Sequence, residues 1–255
     1  MRTVLALAAV CLLCSACAGV RSRAVVASFY PLAWAADPGA VDLTPPGAAP
    51  HDVELTPRQV AEVQEARVVL YLGGGFQPSV ERAVRDLHGT AVDLSSARDP
   101  HVWLDPVRFA AIVRRAGAAL HRSTARQETI LRTIDARYRA GLAHCARRTI
   151  VTTQAAFGYL ARRYGLHLGA STGVAPDAET TPRALVALVH RIRSEHIPTV
   201  FFEPLAARAL ASTVARETGA RTAVLDPIEN ATADKTYPEL MLANLRALRE
   251  ALGCR

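Results

Sequence analysis

The order of apolar runs along this chain of 255 residues is the feature that most constrains its fold. Short β-like runs alternate with amphipathic helical segments over residues 23–105, and the alternation resumes over residues 149–252. Such alternation is typical of parallel strands joined by helices. Between the two regions, residues 106–143 carry a helical pattern with a predicted break near 121–124. We therefore predict an α/β protein of two (β/α) lobes with mostly parallel sheets, joined by a long bridging helix.

The predicted boundaries are an N-terminal lobe over 23–121, a bridging helix over 122–144 and a C-terminal lobe over 145–255. Apolar side chains recur every three or four residues in the bridging segment, which is the period of an amphipathic helix. A helix of about 20 residues would span about 30 Å and could connect two small lobes. The predicted strands are 23–28, 41–43, 66–72, 90–94, 149–153, 166–170, 199–202 and 222–225, and the remaining predicted helices are 56–65, 78–87, 156–164, 181–195, 205–218 and 237–252.

The N-terminus indicates export. A basic start is followed by an apolar run over residues 4–13, which is too short to span a bilayer comfortably and is typical of a signal peptide. Small residues directly precede Cys17, as in a bacterial lipobox, where the cysteine becomes the lipid-modified first residue. We predict a signal peptide over 1–17 and an extracytoplasmic protein anchored to the cell membrane through Cys17. An ordinary secretory signal and a retained transmembrane helix are the alternatives.

Beyond the predicted lipid-modified Cys17 the chain has two cysteines, Cys145 and Cys254. In an exported protein such a pair is a disulfide candidate. Cys254 lies one residue from the C-terminus, so the bond would tie down a segment that would otherwise fray. Two unpaired buried thiols are the alternative.

The charge of the chain does not indicate a nucleic-acid partner. The net charge is +7, and Lys235 is the single lysine. The arginines are dispersed along predicted helical faces, without the aromatic-interleaved basic patch of a nucleic-acid-binding surface. We interpret them mainly as a solvated surface. Attraction to an anionic membrane or cell wall is the alternative.

Two histidines in proline-bracketed segments are the strongest chemical signal. His51 ends the run Pro-Pro-Gly-Ala-Ala-Pro-His over 45–51, and His101 lies in Asp-Pro-His-Val-Trp-Leu-Asp-Pro over 99–106. Proline restricts the backbone, and both segments follow predicted strands, where α/β proteins build their sites. Two imidazoles on stiff loops are half of a transition-metal site. The other histidines have no mutual ligand spacing and are predicted surface residues: His88, His121, His144, His167, His190 and His196.

Several motifs together resemble one family, the zinc/manganese solute-binding lipoproteins of bacterial ABC importers. They occur in order along nearly the whole mature chain: Phe-Tyr-Pro-Leu at 29–32, residues 43–52, residues 99–106, Ala-Phe-Gly-Tyr-Leu at 156–160 with Tyr-Gly at 164–165, and Val-Leu-Asp-Pro at 224–227. The resemblance implies two lobes bridged by a long helix, with one divalent metal in the cleft between them. It implies Zn²⁺, with Mn²⁺ as the alternative, delivered to an ABC transporter permease and its ATPase. We expect a monomer.

The resemblance also assigns the metal ligands. His51 and His101 match two ligands from the first lobe, and Asp226 matches the carboxylate ligand. Gln154 occupies the position of a third histidine, while Gly173 stands where manganese-type members carry a glutamate, which favours zinc. An amide oxygen is a weaker zinc donor than imidazole, so we expect reduced affinity. The affinity should also fall as pH drops through histidine titration.

Three functional hypotheses follow. The leading one is metal capture for import. The second is a diverged member whose site is weakened or lost, acting as a metal buffer or a surface-interaction lipoprotein, because the chain is shorter than the family near 36–41 and 121–128 and lacks the third histidine. The third is a metallohydrolase using an open ligand position, with Glu203 or Glu179 as the base. No HExxH, Gly-x-Ser-x-Gly or phosphate-loop motif occurs, so we do not expect an enzyme.

Overall fold

The computed structural model describes residues 24–36, 39–95, 99–170, 181–204, 208–232 and 234–255. The predicted signal peptide with Cys17 lies outside these residues, as do Glu179 and Gly173. Within the described ranges, no helix combines the length and the apolar character needed to cross a membrane.

The first lobe is a four-stranded parallel sheet in the order β2-β1-β3-β4. Its elements are β1 (Val25–Ala27), α1 (Tyr30–Ala36), β2 (Val41–Asp42), α2 (Pro57–Gln64), β3 (Val68–Tyr71), α3 (Pro78–Ala83) and β4 (Thr90–Asp93). The sequence pattern did not indicate α1, because seven residues are too few to show a helical period. Trp34 of this helix packs on Phe109 and Tyr237, with ring centroids 5.7 and 4.6 Å away.

Two helices connect the lobes, α4 (Pro106–Leu120) and α5 (Ala125–Gly141). Asp105 caps α4 by accepting from the backbone amides of Val107 and Arg108. The chain turns at His121, whose φ of 53° ends α4 in the left-handed conformation. The predicted bridging helix over 122–144 corresponds to α5, whose 17 residues span about 26 Å.

The second lobe repeats the arrangement of the first. Its parallel sheet has the order β6-β5-β7-β8. Its elements are β5 (Thr149–Thr152), α6 (Gly158–Arg163), β6 (His167–Ala170), α7 (Pro182–Ser194), β7 (Thr199–Phe202), α8 (Arg208–Thr218), β8 (Arg221–Val224) and α9 (Tyr237–Leu252). The predicted fold class, two parallel-sheet α/β lobes, is confirmed.

One hydrophobic core runs through both lobes and the helices between them. It joins side chains of the first sheet, of α4 and α5, and of the second sheet and α9. Its largest fully buried members are aromatic: Phe29, Trp103, Phe109, Tyr138, Phe157, Phe201 and Tyr237. Smaller clusters cover the other face of each sheet. Because the main core crosses from lobe to lobe, rotation of one lobe against the other would expose apolar surface.

A disulfide ties the C-terminus to the start of the second lobe. Cys145 and Cys254 are bonded and also form an isolated antiparallel bridge, although 109 residues separate them in sequence. The loop that the bond closes is long, and closing a long loop restricts the unfolded chain strongly.

We therefore expect the Cys145→Ser/Cys254→Ser double variant to lose about 2–5 kcal/mol in free energy of unfolding. Urea unfolding followed by circular dichroism measures this loss. Reductant should bring the unmodified protein down to the level of the variant and leave the variant unchanged. Equal stability of the two oxidised proteins would contradict the expectation.

A candidate metal site between the lobes

The candidate site lies where the carboxyl ends of both sheets face each other. Loops after β2 and β4 carry the first-lobe candidates, and loops after β5, β7 and β8 carry those of the second lobe. In open parallel sheets this edge is where ligands bind. A cavity of about 320 Å³ lies there, and its polar lining comes from both lobes: His51 and Asp52 from the first, and Gln154, Glu203, Asp226, Glu229, Asn230 and Thr232 from the second.

His51 lies in a single 3₁₀ turn, Pro50–Asp52, rather than in an extended loop. The buried side chain of Gln77 links this turn to the end of β1, because its amide nitrogen donates to the carbonyls of Pro50 (3.0 Å) and Ser28 (3.2 Å). The imidazole is 13% exposed, and its Nε2 lies 3.8 Å from the carboxylate of Asp52. The structure thus presents His51 to the cavity on a supported turn.

His101 is almost completely buried, directly before a 3₁₀ turn over Val102–Leu104. Its Nδ1 lies 2.9 Å from Asp99 Oδ1, and its Nε2 lies 3.6 Å from Oε1 of Glu229 in the second lobe. Burial alone would lower the pKa of His101, but the hydrogen bonds and charges of Asp99 and Glu229 raise it to about 9. One ring nitrogen is therefore fixed by a carboxylate, and the other points across the cleft.

The segment that carries His101 is fastened to the second lobe. The Trp103 indole nitrogen donates to the carbonyl of Pro227 (2.6 Å), and the Tyr237 hydroxyl donates to the carbonyl of Trp103 (2.6 Å). Arg163 of the second lobe adds an ion pair to Asp105 (3.3 Å). These contacts fix the position of His101 relative to the loop after β8.

Gln154 and Glu203 form a pair on the second-lobe side of the cavity. With its amide nitrogen turned toward the carboxylate, Gln154 donates to both oxygens of Glu203, at 2.9 and 3.2 Å. Glu203 is 7% exposed. Burial, followed by the negative charges of Glu229 and Asp226, raises the pKa of Glu203 to about 8, against the opposing effect of His101.

Asp226 lines the cavity, but its carboxylate also serves the turn that follows β8. Its Oδ1 accepts from the backbone nitrogen of Ile228 (2.7 Å), and Ile228 adopts a φ of 58°. The side chain of Asn244 binds the Asp226 backbone twice: its Oδ1 accepts from the Asp226 nitrogen, and its Nδ2 donates to the Asp226 carbonyl. Burial raises the pKa of Asp226. Among the described residues Asp226 has no hydrogen bond or ion pair with either histidine.

Of the four ligands predicted from the sequence, His51, Gln154 and Asp226 line the cavity, and His101 lies behind its wall in contact with Glu229, which lines it. The structure also adds residues that the sequence did not indicate. Glu229 is the carboxylate that faces His101, and Asp99 is the partner of its other nitrogen. The sequence could have pointed to both residues by position alone, since Glu229 lies three residues after Asp226 and Asp99 lies two residues before His101. Over the described ranges, no three His, Cys, Asp or Glu side chains stand close enough together to form a ready-made metal site. The six histidines predicted to lie on the surface are all exposed.

The fold and the site together define a class of two-lobed binding proteins with a polar cleft. The family model described as zinc-uptake complex component A, periplasmic (ZnuA), matches residues 25–251. The chain therefore belongs to this zinc-uptake family.

Curated relatives carry zinc-related names. The chain is 29% identical over 275 residues to the zinc-binding lipoprotein AdcA of Streptococcus pneumoniae, covering 89% of this chain and 55% of AdcA. It is 28% identical over 277 residues to the high-affinity zinc uptake system protein ZnuA of Bacillus subtilis, covering 89% of this chain and 87% of that protein. The chain thus spans about half the length of the streptococcal AdcA relatives.

Solved structures share the two-lobed fold. Zn(II)-bound AdcA of S. pneumoniae superposes with a TM-score of 0.76 at 28% identity, covering 91% of this chain and 58% of that one. The laminin-binding protein Lmb of Streptococcus agalactiae, described as having adhesin and metal-transporting activity, gives 0.79 at 27% identity, covering 90% and 99%. The periplasmic zinc-binding protein TroA of Treponema pallidum, at 21% identity and a TM-score of 0.80, shows the shared fold alone, covering 90% and 99%.

The hydrogen bond from Tyr237 of α9 to the Trp103 carbonyl predicts that Tyr237→Phe lowers the stability of the protein. Loss of the hydroxyl leaves the buried carbonyl of Trp103 without this donor, so the free energy of unfolding should fall by about 1–3 kcal/mol. Urea unfolding measures the change. Tyr71→Phe is the matched control, since its hydroxyl has no hydrogen bond within the described part of the chain, and it should be nearly neutral. Equal effects of the two variants would contradict the role of Tyr237.

Proposed function

We propose that this protein is an extracytoplasmic solute-binding lipoprotein that captures Zn²⁺ and delivers it to the permease and ATPase of an ABC importer. One observation carries the proposal: in a chain of the zinc-uptake family, the buried imidazole of His101 faces the carboxylate of Glu229 from the other lobe. Glu229 lines the cavity between the lobes, together with His51 and six further polar residues. Mn²⁺ is the alternative cargo.

The residues present fit zinc. Imidazole nitrogen and carboxylate oxygen are two of the three donor types that zinc takes in proteins. His51 and His101 would supply the nitrogens, with oxygen from Glu229 or Asp226. Asp99 holds Nδ1 of His101, as expected for a carboxylate that orients a metal-binding imidazole.

Binding requires local exchange of contacts. Nε2 of His101 and Oε1 of Glu229 already face each other at 3.6 Å, and a zinc ion bound between them would displace the proton from Nε2 of His101. The core that crosses the lobes and the hydrogen bonds of Trp103 favour capture by side-chain and loop adjustment over a large rotation of the lobes.

The location belongs to the same proposal. AdcA of S. pneumoniae is named a lipoprotein, and the motif around Cys17 supports lipid anchoring of this chain. An anchored binding protein stays close to the membrane permease that would receive its zinc. We propose that it acts as a monomer.

A diverged, weaker site is the second candidate. The observation that favours it is the engagement of Gln154 with Glu203, together with the lack of a preformed three-ligand cluster over the described ranges. If calorimetric titration with Zn²⁺ detects no binding to the unmodified protein but detects binding to the Gln154→His variant, this second function is favoured. A hydrolase is not proposed, because the chain belongs to a zinc-uptake family and carries no hydrolase motif.

The proposal predicts the behaviour of a His51→Ala/His101→Ala double variant. Removing both imidazoles should weaken zinc binding by more than about 100-fold, because loss of an outer partner alone typically costs about 10–100-fold. Calorimetric titration of the mature protein with Zn²⁺ measures the change.

The matched control is His88→Ala. His88 lies on the surface beside Glu65 and should leave the high-affinity binding unchanged. Unaltered binding in the double variant, or equal loss in the control, would refute capture at this cleft.

The contact between Asp99 and His101 predicts a smaller effect. Asp99→Ala should leave the ligands in place but release Nδ1 of His101, so zinc affinity should fall by about 10–100-fold. The same titration measures this loss, with Asp86→Ala, an exposed aspartate on the first lobe, as the control. An affinity equal to that of the unmodified protein would show that Asp99 does not orient His101.

A further inference from the structure

We infer that Glu203 is itself a zinc ligand in this protein, and that Gln154 is the residue that orients it. The inference rests on the proposed function and deepens it. It gives Glu203 the ligand role that the family resemblance assigns to position 154, and it gives Gln154 a supporting role.

The position of Glu203 is the first argument. It directly follows β7, which pairs with β5 in the middle of the second sheet and with β8. Glu203 lines the same cavity as His51 and Glu229 and is 7% exposed. A carboxylate held at the wall of a cavity that imidazoles face has the chemistry and the location of a metal ligand.

The charge balance of the cleft is the second argument. Glu203, Asp226 and Glu229 all line the cavity, and in the described part of the chain no arginine or lysine forms an ion pair with any of them. The cationic partner in contact is His101, through Glu229, and Lys235 acts on Asp226 only from beyond ion-pair distance. Burying carboxylates without matching positive charge is costly. A divalent ion between these carboxylates and the two imidazoles would offset that cost directly.

The hydrogen bonds of Gln154 are the third argument. Its amide nitrogen donates to both oxygens of Glu203, and an amide nitrogen has no free lone pair for a metal. Each carboxylate oxygen has a second lone-pair direction that remains free to bind an ion. Ligating carboxylates are commonly held by such a donor. Glu203 therefore has the arrangement of a metal ligand, and Gln154 that of the donor that orients it. The Glu203 carboxylate takes the place of the histidine missing at position 154.

Two variants separate the roles. Glu203→Gln has nearly the same shape but loses the charge, and should weaken Zn²⁺ binding by more than about 100-fold. Gln154→Ala removes an orienting donor, so a loss of about tenfold is expected. Glu217→Gln, on the exposed face of α8, is the matched control and should not change the affinity. Circular dichroism and urea unfolding of the metal-free proteins establish that each variant is folded.

A second readout tests direct bonding. In the protein loaded with Co²⁺, the visible absorption reports the ligands around the metal. Glu203→Gln should alter the position and intensity of these bands, whereas Gln154→Ala should leave them nearly unchanged at saturating Co²⁺.

The outcomes are distinct. Zinc binding in the unmodified protein, with both expected differences between the variants, supports the inference. Zinc binding that Glu203→Gln leaves intact, or Co²⁺ bands that respond to Gln154→Ala instead, overturns the inference and leaves the proposed function standing. An unmodified protein that does not bind zinc overturns both.

Discussion

The structure depends on the attachment of one first-lobe segment to the second lobe. Trp103 lies two residues beyond His101 and is fully buried in the core that both lobes share. Its indole donates to Pro227, and its carbonyl accepts from Tyr237. Because Pro227 lies between Asp226 and Glu229, these bonds set the distance between the first-lobe imidazole and the second-lobe carboxylates. Packing and hydrogen bonding that stabilise the fold therefore also position the site.

The electrostatics of the cleft follow from that geometry. The fold places His101 near the carboxylates of Glu203, Asp226 and Glu229. The pKa values of His101, Glu203 and Asp226 are all raised. With pKa values of about 9 and about 8, His101 and Glu203 hold protons at neutral pH in the metal-free protein. A metal ion must displace them, so ion capture and proton release are linked.

Much of this arrangement could be predicted from the sequence, because strand–helix alternation has a clear period and proline restricts the loops. The two-lobed fold and the location of His51 and His101 followed from these signals. The short helix α1 did not, since seven residues carry too little pattern. The contact of Glu229 with His101 could not be predicted either. Asp226 comes first in the same loop, and only the folded turn shows which of the two carboxylates reaches His101. Similarly, no local signal in the sequence indicates that Gln154 meets Glu203, which lies 49 residues further along.

The most direct test is to locate the ion by anomalous diffraction from crystals of the mature protein grown with Zn²⁺. We expect one zinc ion in the cavity between the lobes, with nitrogen atoms of His51 and His101 at about 2.0–2.1 Å and at least one second-lobe carboxylate oxygen at about 2.0–2.2 Å. The Trp103–Pro227 hydrogen bond should be intact in the loaded protein. Zinc found only at exposed histidines such as His88, with none in the cavity, would contradict the account.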